Sequence, residues 1–460
     1  MRLAIRRLSL IAGASIAATV AAGGVLWRAT HPQARNVVII TLDTTRADRL
    51  SPYGLRDVSM PALERLASEG VVFDQASSVA PLTLPAHCTL FTGLLPPSHW
   101  VRDNADPPLA SEHTTLAEVL SGRGFRTAAF VGAEVLQAAR GLFQGFEFYR
   151  NAVSIAESPA HPRRRRGDHV MTDAIAWLDE VHRSRFFLWV HLYDPHRPYE
   201  PPEPFRSRYA DPYIGEIAFA DAQIARLLAA LDTHRLRDTT MVIVAGDHGE
   251  SLGEHGERDH GIFVYESVLR VPLIVRVPGV RANRVGTVVR LTDVFPTVLD
   301  LLQLPASQGD GRSLRSLMSG RERTAGLEAY SESLYPQRFG WSPLRALRDG
   351  RFKLIDAPRR ELYDLERDPF EQHNLYDDRR SVGEAMARRL AALAEVSVPV
   401  AHESPPLAVR EGLASLGYIG TGRVREGPLT GTLPDPKDCI AQFSARLEKS
   451  EAVPMGIDCR

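Results

Sequence analysis

The chain has 460 residues and a formal net charge of -1, with 44% hydrophobic and 24% charged residues. This is the composition of an ordinary globular protein, and its near-neutral charge excludes a nucleic-acid binder that works through bulk positive charge. The length predicts about two or three domains.

The N-terminus, residues 1–30, predicts a targeting segment. Its basic start, MRLAIRR, precedes the uncharged run LSLIAGASIAATVAAGGVLW. This pattern is typical of a signal peptide, and the apolar run is also long enough to remain as a membrane anchor. A buried core helix is the alternative. We therefore expect an exported protein, either periplasmic or membrane-anchored on the extracytoplasmic side.

Residues 36–325 predict a catalytic domain of the α/β class, in which short apolar runs alternate with amphipathic segments. The runs are NVVIITLD (36–43), RTAAFVG (126–132), RFFLWVHLYDPH (185–196), TTMVIVAGDHGE (239–250) and VPLIVRVPG (271–279). Near-continuous apolar strands between helices predict a mostly parallel central sheet with helices on both faces.

The sequence changes character after residue 325. Residues 326–400 contain LRDGRFKLIDAPRRELYDLERDP, which predicts short antiparallel strands with a DG turn, and one amphipathic helix follows. We expect a smaller C-terminal α+β subdomain. Residues 401–460 are rich in proline and glycine and predict a poorly packed extension. Within it, Cys439 and Cys459 can pair in an oxidising compartment.

Polar side chains follow three of the predicted strands. Asp43 ends the first, His191 and His196 end the third, and the pair Asp247–His248 ends the fourth. Ligands of open α/β sheets bind at the carboxyl ends of the strands, so we expect these residues to meet.

Three of these residues suit a divalent cation. Asp43, Asp247 and His248 offer carboxylate and imidazole ligands, and Thr44 adds a weaker oxygen. For Asp43 the alternative is a helix cap. His196 suits a proton donor or an anion contact, whereas His191, inside a strand, is interpreted as a core residue.

The stretch PLTLPAHCTLFTG (81–93) contains the candidate nucleophiles Thr83 and Cys88. Thr83 precedes a proline and a short predicted helix, so its hydroxyl is either a helix cap or a nucleophile in the positive end of the helix dipole. Cys88 lies further into the helix among apolar residues, which raises the pKa of a thiol and makes it inert. Physical chemistry favours Thr83 over Cys88.

Together, these motifs resemble the sulfatase family of the alkaline phosphatase superfamily. The resemblance covers about residues 36–380 through NVVIITLDTTRADRLSPYG, PLTLPAHCTLFTG, DPHRPY, GDHGESLGEHG and ELYDLERDPFEQHNL. It implies an α/β sandwich with one active-site divalent cation, which is calcium, magnesium or manganese, with zinc as a further candidate. The implied metal-binding residues are Asp43, Asp247 and His248, with Thr83 close to the cation.

The resemblance also implies roles for residues around the substrate. Asn104, His196 and His260 match positions that contact the anionic group or assist the leaving group, and His260 stands where many relatives carry lysine. The family's pentad of cysteine or serine, any residue, proline, a small residue and arginine reads TLPAH here. Thr83 therefore takes the nucleophile position, and His87 takes the arginine position as a substrate-binding residue.

Threonine cannot be oxidised to the formylglycine aldehyde because of its extra methyl group, so no formylglycine is expected. A threonyl sulfate lacks the easy release of a formylglycine hemiacetal, which favours phosphate mono- or diesters over sulfate esters. We expect a metal-dependent hydrolase whose substrate is a small, glycan-derived or lipid-derived anionic ester, without a nucleic-acid partner. The alternatives are a phosphoryl-group transferase, such as a phosphoethanolamine transferase, and an inactive binding protein with the same fold.

Overall fold

The computed structural model describes residues 34–151, 164–305, 309–324, 326–394 and 433–448. The predicted targeting segment, residues 1–30, lies outside the described residues and stays a prediction. Within the described ranges, no helix is both long enough and apolar enough to cross a membrane. Cys439 takes part in a disulfide and Cys88 is a free thiol. Cys459 lies outside the described residues.

Two sheets organise the described part of the chain. The strands are β1 (Asn36–Leu42), β2 (Val71–Ser77), β3 (Arg126–Val131), β4 (Phe148–Arg150), β5 (Phe186–Leu192), β6 (Thr240–Gly246), β7 (Arg270–Arg276), β8 (Asn283–Arg290), β9 (Ala329–Ser333), β10 (Leu344–Arg348), β11 (Phe352–Asp356) and β12 (Glu361–Asp364). The larger sheet has the order β4-β3-β5-β1-β6-β7-β2-β8, and the smaller has the order β12-β11-β10-β9.

The helices lie mainly between the strands of the larger sheet. They are α1 (Pro61–Glu69), α2 (Thr83–Thr92), α3 (Pro96–His99), α4 (Leu116–Ser121), α5 (Gly167–Val181), α6 (Phe205–Arg208), α7 (Pro212–Thr233), α8 (Glu266–Leu269), α9 (Val294–Leu301), α10 (Arg315–Met318), α11 (Arg380–Ala394) and α12 (Pro436–Glu448).

The larger sheet confirms the predicted fold class. Strands β3, β5, β1 and β6 are parallel, and only β7 pairs antiparallel to its neighbours β6 and β2. The smaller sheet is antiparallel throughout, as predicted for the C-terminal subdomain. Four strands were not predicted, β2, β4, β8 and β9, because polar or exposed residues interrupt their apolar runs.

Alternate residues of β1 face opposite sides of the sheet, because side chains in a strand alternate with a period of two. Val37 and Ile39 join the core that contains α2 and the smaller sheet, whereas Val38 and Ile40 join the core that contains α1, α5 and α7. Thr41, the next residue of the first series, consequently points toward α2.

An ionic cluster lies between the two sheets. Lys353 Nζ, on β11, lies 3.1 Å from Glu266 Oε1 at the start of α8 and 2.9 Å from Glu371 Oε1. Only 1% of the Lys353 side chain is exposed. A buried charge is tolerated when it is paired, and here the pairing fixes the smaller sheet against α8, which follows the loop after β6.

The prediction of a poorly packed extension is wrong for residues 436–448, which form α12. The Phe443 ring packs 5.1 Å from Phe339 and 5.8 Å from Trp341 between ring centroids. Ser444 Oγ also donates a hydrogen bond of 2.7 Å to the carbonyl oxygen of Gly256. The sequence analysis missed the apolar face of this helix because residues 401–460 as a whole are rich in proline and glycine.

We predict that Phe443→Ala lowers the free energy of unfolding by about 3 kcal/mol, because it leaves a cavity beside two aromatic rings. Urea denaturation of the purified protein measures the effect. Phe370→Ala is the matched control, since 66% of Phe370 is exposed against 3% of Phe443. Equal effects of the two substitutions would contradict the packing described for α12.

Candidate active site and metal centre

The sheet topology brings the predicted site residues together. Strand β1 lies between β5 and β6, and Leu42 is in register with Gly246, so Asp43 and Asp247 emerge side by side. The backbone N–H of Asp43 donates to the carbonyl oxygen of Leu192 at 3.0 Å, which joins the end of β5 to the same point. The site therefore lies at the carboxyl ends of three parallel strands, as expected for this fold class.

Asp43, Asp247 and His248 form a candidate metal centre. One ligand atom from each lies within 4.8 Å of the other two, and all three residues are buried. Within the described part of the chain, Asp43 Oδ1 and Asp247 Oδ2 have no hydrogen-bond partner. His248 Nδ1 donates to the carbonyl oxygen of Gly249 at 2.9 Å, so Nε2 carries the lone pair. Two orphaned carboxylate oxygens and one imidazole lone pair fit a divalent cation.

The electrostatics of these residues also call for a cation. Burial raises the pKa of Asp43 to about 8, with Glu250 adding to the rise and His260 opposing it. Burial, and then the charge of Asp43, raises the pKa of Asp247 well above its usual range. Burial lowers the pKa of His248 well below its ordinary value, which keeps the imidazole neutral and able to bind a metal.

Thr44 lies at the centre in an unusual backbone conformation, with φ of 48°. Its N–H donates to Asp247 Oδ1 at 3.2 Å, and its carbonyl oxygen accepts from the Tyr213 hydroxyl at 2.6 Å. These bonds hold a conformation that is rare for a branched residue. Thr44 Oγ1 is buried without a partner among the described residues. Its predicted role as a weak ligand stays a prediction.

The helix-cap alternatives for Asp43 and Thr83 are both wrong. The helical turn after Asp43 spans Ala47–Arg49, its N-cap is Arg46, and it receives no side-chain cap. The preceding residue, Leu82, is the N-cap of α2, so Thr83 is the first helical residue and its hydroxyl makes no capping bond. Instead, Thr83 Oγ1 lies 3.3 Å from His248 Nε2. The hydroxyl thus faces the candidate metal centre.

Cys88 and Asn104 differ in their relation to Thr83. Cys88 is fully buried, and burial strongly raises the pKa of its thiol, in agreement with the expected inert role.

Asn104 Oδ1 accepts the N–H of Leu84 at 2.8 Å, in the first turn of α2. Its Nδ2 is buried without a partner in the described ranges, which leaves a donor available beside Thr83. Such a donor suits the oxygens of an anion.

His87 belongs to a chain of hydrogen bonds that ends at Thr83. Trp189 Nε1 donates to Thr41 Oγ1 at 3.0 Å, and Thr41 Oγ1 lies 3.0 Å from His87 Nε2. His87 Nδ1 lies 2.7 Å from the carbonyl oxygen of Thr83, which can only accept. His87 therefore carries its proton on Nδ1, and burial keeps its pKa well below the ordinary value. Its contacts are with the protein, and its predicted substrate-binding role stays a prediction.

Three histidines surround the metal centre. His191 is a buried strand residue as expected, yet its Nε2 lies 3.1 Å from Asp43 Oδ2, so it also belongs to the site. The His260 ring lies 4.5 Å from the His248 ring and 5.0 Å from the His196 ring, measured between centroids. Burial, with a further contribution from His260, lowers the pKa of His196 to about 3. The predicted substrate-side residues His196 and His260 are thus adjacent.

The sequence analysis missed the residues that hold these side chains in place. Glu250 Oε1 lies 3.0 Å from His260 Nδ1, and Glu250 Oε2 accepts from the Tyr199 hydroxyl at 2.8 Å. Arg46 Nη1 donates to the carbonyl oxygen of Glu250 at 3.1 Å and thereby ties the loop after β6 to the loop after β1. The position of Glu250, directly after the motif GDHG, was the available signal.

Comparisons with known proteins identify the family of this chain. The sequence model of the sulfatase family matches residues 35–304. The chain belongs to the sulfatase family. A second model, N-sulphoglucosamine sulphohydrolase, C-terminal, matches residues 253–396. As a member of the family, the protein is an ester hydrolase.

Individual relatives are distant. An ulvan-active sulfatase of Formosa agariphila is 25% identical over 398 residues, which cover 75% of this chain and 78% of the relative. A choline-sulfatase of Rhizobium meliloti is 25% identical over 442 residues, which cover 75% and 83%. The crystal structure of a phosphonate monoester hydrolase of Agrobacterium radiobacter matches with a TM-score of 0.67 and 24% identity, covering 81% of this chain and 97% of that one. The structural match shows the shared fold.

We predict that a divalent cation stabilises the protein more at pH 8 than at pH 5. The folded pKa of Asp43, about 8, lies above its ordinary 3.8, so the metal-free protein loses stability as pH rises from about 4 to 8. A bound cation removes this loss. It also raises the free energy of unfolding by about 2.7 kcal/mol when its free concentration is one hundred times its Kd. Thermal melting with EDTA or with calcium, magnesium, manganese or zinc measures the effect. In Asp43→Asn both the pH dependence and the response to cation should shrink, and an unchanged response would contradict the assignment of this centre.

Proposed function

We propose that this protein is a metal-dependent hydrolase of an anionic ester in which Thr83 is the nucleophile. The observation that carries the proposal is the position of Thr83 Oγ1, which lies 3.3 Å from His248 Nε2 at the first residue of α2. A hydroxyl among candidate metal ligands and at the positive end of a helix dipole is suited to attack an anionic centre.

Asp43, Asp247 and His248, with Thr44 and Thr83 as further oxygen donors, would hold a divalent cation, which would lower the pKa of the Thr83 hydroxyl and offset the charge of the ester oxygens. Calcium, magnesium and manganese suit the oxygen donors, and zinc suits His248. The two orphaned carboxylate oxygens of Asp43 and Asp247 support this assignment.

The protein's own groups account for the remaining steps. Thr83 gives its hydroxyl proton to solvent, and its oxygen bonds to phosphorus or sulfur while the bond from that atom to the leaving oxygen breaks. Asn104 Nδ2 binds and orients the anionic group, and His87 holds the first turn of α2 through the carbonyl oxygen of Thr83. His196 and His260 stabilise or protonate the leaving oxygen. Water then hydrolyses the threonyl ester and restores the hydroxyl.

We favour phosphate mono- and diesters over sulfate esters, on the chemistry of the intermediate. A formylglycine hydrate expels sulfate by collapse of a hemiacetal, a route closed to threonine. Release from Thr83 instead requires attack of water at the central atom. By their names, two of the proteins described above are an ulvan-active sulfatase and a choline-sulfatase, and the third is a phosphonate monoester hydrolase, so glycan-derived and small anionic esters are both candidate substrates.

We further propose that the enzyme is exported, on the basic and apolar pattern of residues 1–30. Fractionation of cells that express the full chain, followed by N-terminal sequencing, distinguishes a cleaved leader from a retained anchor. Recovery of the intact chain in the cytoplasm would contradict export.

We predict that Thr83→Ala and Thr83→Val abolish turnover, lowering kcat by about 10³-fold or more, whereas Thr83→Ser retains part of it. The assay uses 4-nitrophenyl phosphate, bis(4-nitrophenyl) phosphate and 4-nitrophenyl sulfate with added cations. Thr89→Ala is the matched control from the same helix, because Thr89 Oγ1 lies 3.0 Å from His99 Nε2 and makes no contact with Thr83. Thr89→Ala should lower stability without lowering kcat.

The outcomes separate the candidate activities. Turnover by Thr83→Val at the rate of the parent would contradict the assigned nucleophile. Dominant sulfate turnover would contradict the phosphate preference alone. Transfer of the phosphoryl group to an added alcohol, in preference to water, would identify a transferase.

We also predict a covalent intermediate on Thr83. Acid quenching during turnover of a phosphate ester should trap a peptide of residues 81–93 that carries the mass of one phosphoryl group, as detected by mass spectrometry. Modification at Cys88 or at His87 instead of Thr83 would contradict the mechanism.

A further inference from the structure

We infer that Glu250 is a positioning residue that fixes the tautomer and orientation of His260, with Nδ1–H on the carboxylate and Nε2 toward the bound ester. This inference rests on the proposed function of the site. It concerns a residue that does not touch the substrate and acts through the imidazole that it holds.

The contacts of Glu250 are those of a rigid anchor. The residue is fully buried, and each carboxylate oxygen has its own donor: His260 Nδ1 at 3.0 Å on Oε1 and the Tyr199 hydroxyl at 2.8 Å on Oε2. Its carbonyl oxygen accepts from Arg46 Nη1 at 3.1 Å. A carboxylate is removed from water at considerable cost, so a fully satisfied one beside a catalytic histidine serves to hold that histidine.

The ring of His260 has one orientation that satisfies these contacts. A carboxylate only accepts, so Nδ1 carries the proton, and Nδ1 lies 2.9 Å from Asp259 Oδ1 as well. The remaining nitrogen, Nε2, lies on the opposite side of the ring. The ring packs beside His248, whose Nε2 faces Thr83 Oγ1, and edge-on to His196.

Glu250 and Asp259 differ in how firmly they can hold the ring. The Asp259 side chain is 24% exposed, and its Oδ1 also accepts the backbone N–H of its neighbour His260 at 3.0 Å. Glu250 is anchored on both sides by groups from distant segments of the chain. We therefore assign the orientation of His260 mainly to Glu250.

The test is the dependence of kcat/KM on the leaving group, which reports the step in which the leaving oxygen departs. In Glu250→Gln we expect kcat/KM to fall about 10- to 100-fold for an unsubstituted phenyl ester and less than about 3-fold for a 4-nitrophenyl ester, because a poor leaving group depends on the oriented imidazole. Glu257→Gln is the matched control, because Glu257 is a buried carboxylate in the same loop that accepts the backbone N–H groups of Ile262 and Phe263, and it should leave this dependence unchanged. An equal loss with both esters would overturn the inference.

Tyr199→Phe is the second variant, for use if Glu250→Gln does not fold. It keeps the carboxylate and removes the hydrogen bond from Tyr199. We therefore expect kcat/KM again to fall more for the phenyl ester than for the 4-nitrophenyl ester, but by a smaller factor than in Glu250→Gln. If Glu250→Gln is unfolded and Tyr199→Phe loses kcat/KM equally for the two esters, the inference is overturned. Asp259→Asn should have a smaller effect than Glu250→Gln, and the reverse order would overturn the assignment to Glu250.

A measurement independent of turnover separates this inference from the proposed function. Nitrogen-15 NMR of the imidazoles, recorded on Thr83→Ala at fixed pH, should show His260 protonated on Nδ1, and Glu250→Leu in that background, which removes the Glu250 acceptor, should populate the other tautomer. An unchanged tautomer would overturn the inference even if Thr83 is the nucleophile. Since Glu250, Asp259 and His260 also group within 4.8 Å, loss of a second bound cation in Glu250→Gln would overturn it in favour of a metal site.

Discussion

Two carboxylates buried side by side at the ends of β1 and β6 are the constraint on which the rest of the site depends. Asp43 and Asp247 cannot both ionise in this position without compensation, because each raises the free energy of the other's charged form and neither reaches bulk water. The neutral imidazole of His248 completes a set of ligands that a divalent cation satisfies. The fold thus forms a candidate cation site in the absence of substrate.

The neighbouring structure holds this arrangement against its own strain. Thr44 keeps a left-handed backbone conformation because Asp247 accepts its N–H and Tyr213 donates to its carbonyl oxygen. Arg46 ties the first loop to the loop after β6. A strained backbone that is fixed from several directions is typical of active sites, where it sets ligand positions in advance. Precise ligand positions are what catalysis by electrostatic stabilisation requires.

Two chains of hydrogen bonds lead into the candidate site. Trp189, Thr41 and His87 lead to the carbonyl oxygen of Thr83, and Tyr199 and Glu250 lead to His260. In the first chain, His87 is neutral because burial keeps its pKa well below the ordinary value, so it brings no positive charge to this side of the site.

The sequence by itself determined the fold class and the strand ends that carry the candidate site, and it predicts Thr83 rather than Cys88 as the nucleophile. Each of these follows from local pattern: apolar runs give strands, polar residues directly after them give a site at one edge, and apolar surroundings make a thiol inert. Only the tertiary structure decided that Thr83 is not a cap, that His191 contacts Asp43 and that α12 packs on Trp341. The hydrogen bonds of Glu250, Tyr199 and Thr41 were also decided by the tertiary structure, since each depends on a partner from another segment. Sequence patterns report neighbours along the chain, whereas hydrogen-bond partners are chosen by the packing of strands and helices that are distant in sequence.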